Sequence, residues 1–350
     1  MSLLEGIGKL PTSSLAISAG ACIAGGIVGG FIMKRTAKTT DPTPEKWVKV
    51  GEIKELNIYP VKSMLAMSVN EAFVARLGLQ GSNNPLLRDR VFAAINANGK
   101  CLSQTRCPMF AFVQAKIDGN QLILTHTRDS SMNIAIDIPT GVDANKDKLV
   151  TVMGEKLRAV DCGDKAAAWL TKLTEMPDIR LVYHLADEPQ RVSAKRNEKF
   201  HTYRDEHTGT FQDETSYMLM TEESLAAVNA EMAKPVAHKN FRPSIIVNGL
   251  QEPFLEDFFG FIRIGGEGGP ILKASVPCQR CTMTTIDPET GTIRTDGEPL
   301  KTLYRLKRKV GDTKISKLVG KSAIMGAHFG CFEGTGSVIQ VGQPIYAALL

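Results

Sequence analysis

Short runs of alternating apolar and polar residues occupy most of the chain after Val48. Runs of about four to eight residues with this alternation, rich in Val, Ile and Phe, predict β-strands. In chain order they are IKELNIY, RVFAAIN, FAFVQAKI, QLILTHT, MNIAIDI, KLVTVM, SIIVNG, FGFIRIGG, ILKASV and GSVIQVGQPIYAAL. The NG at 98–99 and the DGN at 118–120 predict tight hairpin turns between neighbouring strands, and the GGEGG at 265–269 predicts another turn.

Helical patterns are fewer than strand patterns. Asp164 is a helix-capping residue before KAAAWLTKL, in which Trp169, Leu170 and Leu173 fall on one face. Thr221 stands in the same relation to EESLAAVNAEMA. Many short strands with few helices predict a mixed α/β chain that is mostly β, built as a barrel or sandwich with inserted helices.

The N-terminal part of the chain breaks this pattern. Residues 15–33, LAISAGACIAGGIVGGFIM, carry no charge and match the roughly 20 residues that cross a bilayer as a helix. Basic residues follow at once, so we predict a retained anchor whose C-terminal side faces the cytosol. A cleaved signal peptide is the alternative, but its start would be basic, whereas MSLLEGIGK is nearly neutral. Residues 1–14 are then a short N-terminal segment, and the polar residues 34–49 are a linker.

Composition and charge narrow the function classes. The chain has 350 residues, 43% of them hydrophobic, and a net charge of +5. Lys and Arg are scattered among Asp and Glu rather than clustered with aromatic residues, so a nucleic-acid partner is not indicated. The seven cysteines, an odd number without disulfide-like spacing, are typical of a reducing compartment and leave thiols free for chemistry.

A cysteine pair in the segment VPCQRC is the strongest chemical signal. It follows ILKASV, a strand that Pro277 is predicted to end, and the DPETG turn is predicted to lead into a next strand at Thr292. Arg280, next to Cys281, would favour a thiolate. Four interpretations remain open from the residues alone. The pair could belong to a structural zinc site, which needs further ligands, or form a redox pair, which needs a following helix. Cys278 and Cys281 could instead be two buried structural cysteines, or one of the pair could be a single thiolate ligand to a transition metal.

Cationic and hydroxyl residues recur at predicted strand and loop ends. They lie in the segments YPVKS, LRDR, DETS and NFRPS. Arg and Lys together with Ser and Thr hydroxyls suit a phosphate or another polyanion. A Walker A loop is absent from the sequence, as is a GxGxxG before a helix, so a nucleotide is not indicated. The six histidines show no metal-ligand spacing, and we expect each to be structural or exposed.

In this order and spacing, YPVKS, LRDR, DETS, NFRPSIIV and PCQRCTMTTIDPETG resemble the MOSC family of molybdenum-cofactor domains. The resemblance runs from about Val50 to the closing VGQPIY near the C-terminus. It implies a MOSC β-barrel with a smaller inserted α/β region, preceded here by the single N-terminal transmembrane helix. On this chain the first barrel strands would span 50–90, the α/β region 91–181 and the MOSC domain proper 182–350.

The resemblance also implies the site. Cys281 would be the catalytic residue and the protein thiolate on the molybdenum of a molybdopterin cofactor, whereas Cys278 is not assigned as a ligand. The residues that match the family's cofactor contacts are Lys62, Ser63, Arg90, Thr215, Ser216, Arg242, Ser244, Gln279 and Arg280. Two positions depart from the expected pattern: Glu214 stands in place of Asp, and Ser244 in place of Asn, which affects the fine contacts of the pocket.

The implied activity is the reduction of N-oxygenated compounds such as amidoximes, and also nitrite. Electrons would come from NADH through a flavoprotein reductase and a b-type cytochrome, since no haem or flavin motif is visible in the sequence. The anchor would hold the chain in the mitochondrial outer membrane with its catalytic domain in the cytosol. A different class remains as the alternative: a carrier or delivery module for molybdenum cofactor or sulfur without turnover. An inert structural barrel would leave the thiolate and anion-binding residues unexplained.

Overall fold

Seven strands close into a β-barrel at the centre of this computed structural model, which describes residues 41–350 except 142, 144, 186–190 and 309. The strands are β1 Val48–Ile58, β2 Met67–Val69, β3 Glu71–Ala75, β4 Gly78–Gly81, β5 Phe92–Ile95, β6 Val113–Asp118, β7 Gln121–His126, β8 Ile134–Asp137, β9 Asp147–Val152, β10 Glu155–Asp161, β11 Arg180–Tyr183, β12 Arg191–Val192, β13 Thr208–Gly209, β14 Tyr217–Thr221, β15 Ile245–Asn248, β16 Phe259–Ile264, β17 Ile271–Gln279, β18 Ile324–Glu333, β19 Val338–Gln340 and β20 Pro344–Leu349. The α-helices are α1 Asp164–Thr174, α2 Ser193–Arg196, α3 Glu222–Ala230, α4 His238–Phe241, α5 Leu300–Leu306 and α6 Thr313–Val319.

The barrel strands follow the order β15-β14-β18-β17-β16-β20-β1, and β1 pairs with β15 to close the ring. At 11 residues, β1 is long enough to pair with β20 through its first half and with β15 and β2 through its second half. β14 and β15 run parallel, whereas β1 is antiparallel to β15. The end of β1 and the starts of β14 and β15 therefore lie at one end of the barrel.

Burial on both faces explains why some barrel strands read as continuous apolar runs. In β14, Tyr217 and Leu219 belong to the main core, while Met218 and Met220 pack in a second cluster with residues of α3. β20, in contrast, alternates between buried and partly exposed residues. The pattern follows from successive side chains pointing to opposite faces of a strand.

Four smaller sheets surround the barrel strands. Their strand orders are β5-β11-β10-β9, β6-β7-β8, β19-β3-β4 and β12-β13. Helix α1 covers part of this region, with Trp169, Leu170 and Leu173 buried as its periodicity predicted. Helix α3 begins after Thr221, whose side chain accepts a hydrogen bond from the Ser224 amide, also as predicted. The prediction of a mostly β chain with a barrel and few helices is therefore confirmed.

Two local predictions around the cysteine pair were wrong. Strand β17 does not end at Pro277 but continues through it to Gln279. The register against β18 shifts on both sides of Pro277, and a proline without an amide donor is tolerated at such an irregularity. Thr292 does not begin a strand either. A 3-10 helix, Thr282–Thr285, follows the cysteine pair instead. The residues on either side of the DPETG turn pair only through one isolated bridge, between Ile286 and Ile293, and do not join a sheet.

The described part of the predicted linker contacts the barrel. The Asp41 carboxylate pairs with Lys273 on β17 and with Arg204, and the Arg263 guanidinium on β16 lies 4.3 Å from the centre of the Trp47 ring. The predicted anchor at 15–33 lies outside the described residues. Within the part of the chain that the structure describes, none of the helices has the length and apolar character needed to cross a membrane.

Two adjacent carboxyl groups, Glu256 and Asp257, are buried in the 3-10 helix Leu255–Phe258. Glu256 accepts a hydrogen bond of 2.8 Å from the Ser224 hydroxyl, and an Asp257 oxygen lies 3.5 Å from the Arg308 guanidinium. Burial raises the pKa of Asp257 to about 7, because the loss of hydration outweighs the attraction of Arg308. The fold thus holds a carboxyl group that resists ionisation.

We expect Asp257→Asn to remove part of the pH dependence of stability between about pH 4 and pH 7. The folded-state pKa lies above the ordinary value of 3.8, so the folded chain holds this proton more tightly than the unfolded chain does. Its contribution to stability is therefore present at low pH and is lost as the pH rises through the folded pKa. Each pH unit of difference corresponds to about 1.4 kcal/mol.

The measurement is the melting temperature of both chains across this pH range. The wild-type value should fall relative to that of Asp257→Asn as the pH rises. Asp296→Asn is the control, because Asp296 is an exposed carboxylate paired with Arg294, which lowers its pKa, so it stays ionised across this range. Parallel curves for the wild type and Asp257→Asn would contradict the prediction.

Candidate active site

One cavity of about 280 Å³ gathers nearly all the residues that the sequence motifs predicted. The predicted residues on its wall are Lys62, Ser63, Arg90, Thr215, Arg242, Ser244, Gln279, Arg280 and Cys281. They come from five separate stretches: the loop after β1, the approach to β5, the starts of β14 and β15, and the end of β17. The barrel closure brings these stretches together although they are far apart in the sequence.

Ser216 is the predicted residue that does not line this cavity. Its buried hydroxyl lies 2.7 Å from the Arg76 carbonyl and 2.9 Å from the Thr208 carbonyl. Thr215, the residue before it, does line the cavity. Neighbouring residues of an extended chain point to opposite sides, so the cavity receives one hydroxyl of the Thr-Ser pair and the protein interior receives the other.

Two guanidinium groups of the cavity wall lie over the ring of Tyr59. The Arg90 and Arg242 guanidinium carbons lie 4.3 and 4.4 Å from the ring centre. Arg90 pairs with Asp89 at 2.6 Å, whereas Arg242 donates to the Met64 carbonyl at 2.7 Å. Burial lowers the pKa of Arg242 to about 10, which still leaves it charged near neutral pH. This wall therefore carries positive charge that a carboxylate only partly neutralises.

Lys62 and Arg280 complete the cationic side of the cavity in different ways. The Lys62 ammonium lies 2.5 Å from an Asp213 oxygen and donates to the Phe211 carbonyl at 2.8 Å. The Arg280 guanidinium donates to the Met325 carbonyl at 2.6 Å and to the Phe241 carbonyl at 2.9 Å. Arg280 thus ties the segment after β17 to β18 and α4, and its charge is paired with carbonyls rather than with a carboxylate among the described residues.

The backbone around the cavity is strained at three cationic or hydroxyl positions. Ser63, Arg90 and Arg242 have φ angles of 68°, 50° and 60°. This left-handed region is uncommon for residues other than glycine, and residues held there cluster at ligand sites. The surrounding fold therefore holds these three residues in place at a cost in local energy.

The two cysteines of the pair have unlike surroundings. Cys281 is exposed at the cavity, while Cys278 is 7% exposed and lies beside His328. Burial acts to raise the pKa of the Cys278 thiol, but Arg280 and His328 together outweigh it, so the pKa is lowered. In the described residues no group of three or more His, Cys, Asp or Glu could hold a metal ion, so the zinc interpretation finds no further ligands.

Comparison with known proteins decides the family. Residues 50–177 match the MOSC N-terminal beta barrel domain, and residues 206–346 match the MOSC domain. The chain belongs to the MOSC family. It is 32% identical to human mitochondrial amidoxime-reducing component 1 over 85% of this chain and 83% of the relative. It is 34% identical to bovine mitochondrial amidoxime reducing component 2 over 85% of this chain and 83% of the relative.

Two buried polar atoms on the cavity wall of this MOSC protein have no hydrogen-bond partner among the described residues. They are the Ser244 hydroxyl and Nδ1 of His328, whose residues are 1% and 8% exposed. A buried polar atom without a partner is costly, and in native proteins it often marks the place of a ligand or an ion. The Ser244 hydroxyl, the exposed thiol and the cationic wall together fit a ligand that carries phosphate and other polar groups.

Sequence reasoning missed His328 and left Asp213 unassigned. His328 was predicted to be structural or exposed, and the structure places it on the cavity wall beside the cysteine pair. The segment AHFG around His328 shows no sequence motif for a functional site, because the partner of His328, Cys278, lies on another strand. Asp213 had a signal, since it begins the DETS motif that supplies Thr215.

Proposed function

We propose that this MOSC protein is a molybdenum-cofactor-dependent reductase of N-oxygenated compounds such as amidoximes, with nitrite as a further substrate. The observation that carries the proposal is the meeting of the exposed Cys281 thiol with a cationic, hydroxyl-bearing wall in one cavity. Relatives of similar length are named for amidoxime reduction. Cysteine sulfur is a soft ligand for a transition metal, and the guanidinium wall suits the phosphate of a pterin cofactor.

Each residue has a role in this proposal. Cys281 would bind the molybdenum through its thiolate. The residues that would hold the pterin and its phosphate are Lys62, Ser63, Arg90, Thr215, Arg242, Ser244, Gln279 and Arg280. When bound, the cofactor supplies the two-electron redox chemistry, while the protein supplies binding and orientation. Ser216 would act indirectly, by fixing the start of β14 through the Arg76 and Thr208 carbonyls.

The setting of the reaction is also part of the proposal. The sequence carries no haem or flavin motif, so electrons would arrive from NADH through a flavoprotein reductase and a b-type cytochrome. Relatives are named mitochondrial, and an anchor at 15–33 would place this chain in the mitochondrial outer membrane with its catalytic domain in the cytosol. The domain limits would be first barrel strands at 50–90, an α/β region at 91–181 and the MOSC domain at 182–350.

The test is to express the full chain in a host that makes molybdenum cofactor. Bound molybdenum and the reduction of benzamidoxime to benzamidine are then measured with NADH, the cytochrome and its reductase. Equimolar molybdenum with turnover would support the reductase. Molybdenum without turnover of any N-oxygenated substrate would favour the carrier of cofactor or sulfur. A folded chain without molybdenum would overturn the proposal.

We expect Ser244→Ala to weaken cofactor retention without lowering the stability of the cofactor-free chain. The Ser244 hydroxyl is buried and unpartnered, so its removal costs the free chain no hydrogen bond. One hydrogen bond to the cofactor is worth about 1 kcal/mol, so retention should fall several-fold. Molybdenum content after dialysis and the melting temperature of the cofactor-free chain measure the two effects.

Ser224→Ala is the matched control for this serine. Ser224 is equally buried, but its hydroxyl donates to Glu256 at 2.8 Å, outside the cavity. It should lower the melting temperature and leave molybdenum retention unchanged. Equal effects of both substitutions on retention would count against a role of Ser244 in holding the cofactor.

A further inference from the structure

Cys278 and His328 form a buried pair on neighbouring strands. Cys278 lies near the end of β17, ahead of Cys281 in the chain. His328 lies on β18, which pairs antiparallel with β17. The register between the two strands shifts around Pro277, which brings the two side chains to the same cavity. Cys278 is 7% exposed and His328 is 8% exposed.

The pKa values of the two side chains are shifted in opposite directions. Burial acts to lower the pKa of His328, but the hydrogen-bonded Cys278 and the nearby Glu214 outweigh burial and Arg280, so the pKa is raised. The pKa of Cys278 moves in the opposite direction, for the reason given above. The two shifts agree, because each charged form stabilises the other.

The charged groups on the other elements around β18 are engaged elsewhere. Glu214, ahead of β14, binds Arg196, Asn197 and Tyr203 through its carboxylate. In the 3-10 helix that packs on β18, Glu256 binds Ser224 and Asp257 faces Arg308. His207, ahead of β13, has a pKa lowered by burial to about 4 and stays neutral near neutral pH. Cys278 is therefore the neighbour that raises the pKa of His328 most.

A second observation that points to a ligand is the unpartnered Nδ1 atom of His328. Nδ1 is buried and has no hydrogen-bond partner among the described residues, although the residue lines the cavity. A buried imidazole nitrogen without a partner is costly. A molecule in the cavity that offers an acceptor would satisfy it.

Reduction of an N-hydroxylated substrate in this cavity would need a source of protons. The balance is R=N–OH + 2 e⁻ + 2 H⁺ → R=NH + H₂O, with the electrons supplied by the external one-electron donor of the proposed function. Arginine does not release a proton in proteins, and Lys62 is engaged by Asp213 and the Phe211 carbonyl. Among the described histidines, only His328 lines this cavity.

We infer that His328 donates a proton to the substrate oxygen that leaves as water, with Cys278 as the positioning residue that holds the imidazole ring through a hydrogen bond. The N–H bond of the ring breaks and its proton passes to the oxygen, while the two electrons of the external donor break the N–O bond and the oxygen leaves as water. The second proton reaches the substrate nitrogen from solvent, and the ring regains its own proton from solvent. This inference rests on the proposed reductase function. It goes beyond that function by naming the proton donor.

The test is His328→Gln in the full chain loaded with molybdenum cofactor. Molybdenum content should stay at the wild-type level, while kcat for benzamidoxime falls by about 100-fold or more, in the range that general acid catalysis contributes. The wild-type kcat should also fall at high pH as His328 loses its proton, and this limb should be absent from the variant. His201→Gln, which changes an exposed histidine paired with Asp312, is the matched control and should behave as the wild type.

A second readout does not depend on the cofactor. In chain expressed without molybdenum cofactor, alkylation of Cys278 by iodoacetamide is followed by peptide mass spectrometry as a function of pH. Loss of His328 should slow this alkylation at least tenfold near pH 6.5 and move its midpoint to higher pH. Unchanged alkylation, or an unchanged kcat and pH profile at full molybdenum content, would overturn the inference. A wild-type chain without molybdenum or turnover would instead overturn the reductase function, and the inference with it.

Discussion

Cys281→Ala is expected to leave the chain folded and to abolish both molybdenum retention and the reduction of benzamidoxime. The Cys281 side chain is exposed, and substitutions at exposed positions usually change stability by less than about 0.5 kcal/mol. The thiolate is, however, the one protein ligand to the metal in the proposed function. Loss even of groups that merely support metal ligands costs about 10–100-fold, so loss of the ligand itself should exceed 100-fold in kcat.

The measurement combines metal analysis, activity and the melting temperature of the same preparation. Cys162→Ala is the control, since Cys162 is a partly buried free cysteine between β10 and α1 that does not line the cavity. It should keep its molybdenum and its activity. A Cys281→Ala chain that retains equimolar molybdenum and normal turnover would remove the central claim, whereas parallel losses in both variants would indicate a general effect on folding.

Arg191→Met is expected to cause the largest loss of stability, about 3–5 kcal/mol, because it breaks a buried ion pair by removing one partner. Arg191 is 1% exposed. Its guanidinium pairs with Glu155 at 2.9 Å and donates to the Thr210 and Gln212 carbonyls, each at 2.7 Å. Methionine is similar in length but offers none of these donors, so two carbonyls lose a donor and Glu155 keeps only the more distant Arg196, at 3.5 Å.

The same substitution should reach the cavity. Arg191 also donates to the Asp213 carbonyl at 3.4 Å, and Asp213 and Thr215 line the cavity. We therefore expect weaker retention of molybdenum in addition to the lower free energy of unfolding, which urea titration measures. Arg158→Met is the control, since the Arg158 side chain is 72% exposed in its pair with Asp147 and should contribute less than about 1 kcal/mol. Equal losses for both variants would contradict the prediction.

Local signals predicted much of the fold, because they act over a few residues. The alternating runs matched β1, β5 to β9, β15 to β17, β19 and β20, but they missed the barrel strand β18, Ile324–Glu333. The turns at 98–99 and 118–120 contain glycines with φ angles of 71° and 55°. Thr221 caps α3 as predicted, whereas the predicted cap of α1 was wrong: Asp164 is the first residue of that helix, and Gly163 precedes it without a side-chain cap. Strand limits were less accurate where other contacts compete: FAFVQAKI begins in a 3-10 helix, Pro108–Phe112, and becomes a strand at Val113.

The candidate site was predicted from motif order rather than from geometry. Each of YPVKS, LRDR, DETS and NFRPS is unremarkable alone, and only the resemblance to the MOSC family joined them to Cys281. The structure places nine of the ten predicted residues on one cavity wall and turns Ser216 away from it. The opposite orientations of Thr215 and Ser216 depend on which side of the extended chain faces the cavity. The strand pairing at the start of β14 sets that side.

The sequence by itself determined the strand-rich class, the places of α1 and α3, the cysteine pair and the supply of cationic and hydroxyl groups, because these depend on residue type and short-range spacing. Only the tertiary structure decided how the charges are shared. It paired Arg90 with Asp89, turned Arg280 towards carbonyls and set His328 beside Cys278. Arg280 with Met325, and Cys278 with His328, are partners far apart in the sequence, and the pairing of β17 with β18 brings them together. The pKa of a buried group follows from such neighbours, so it is a property of the fold and cannot be read from the motif that contains the residue.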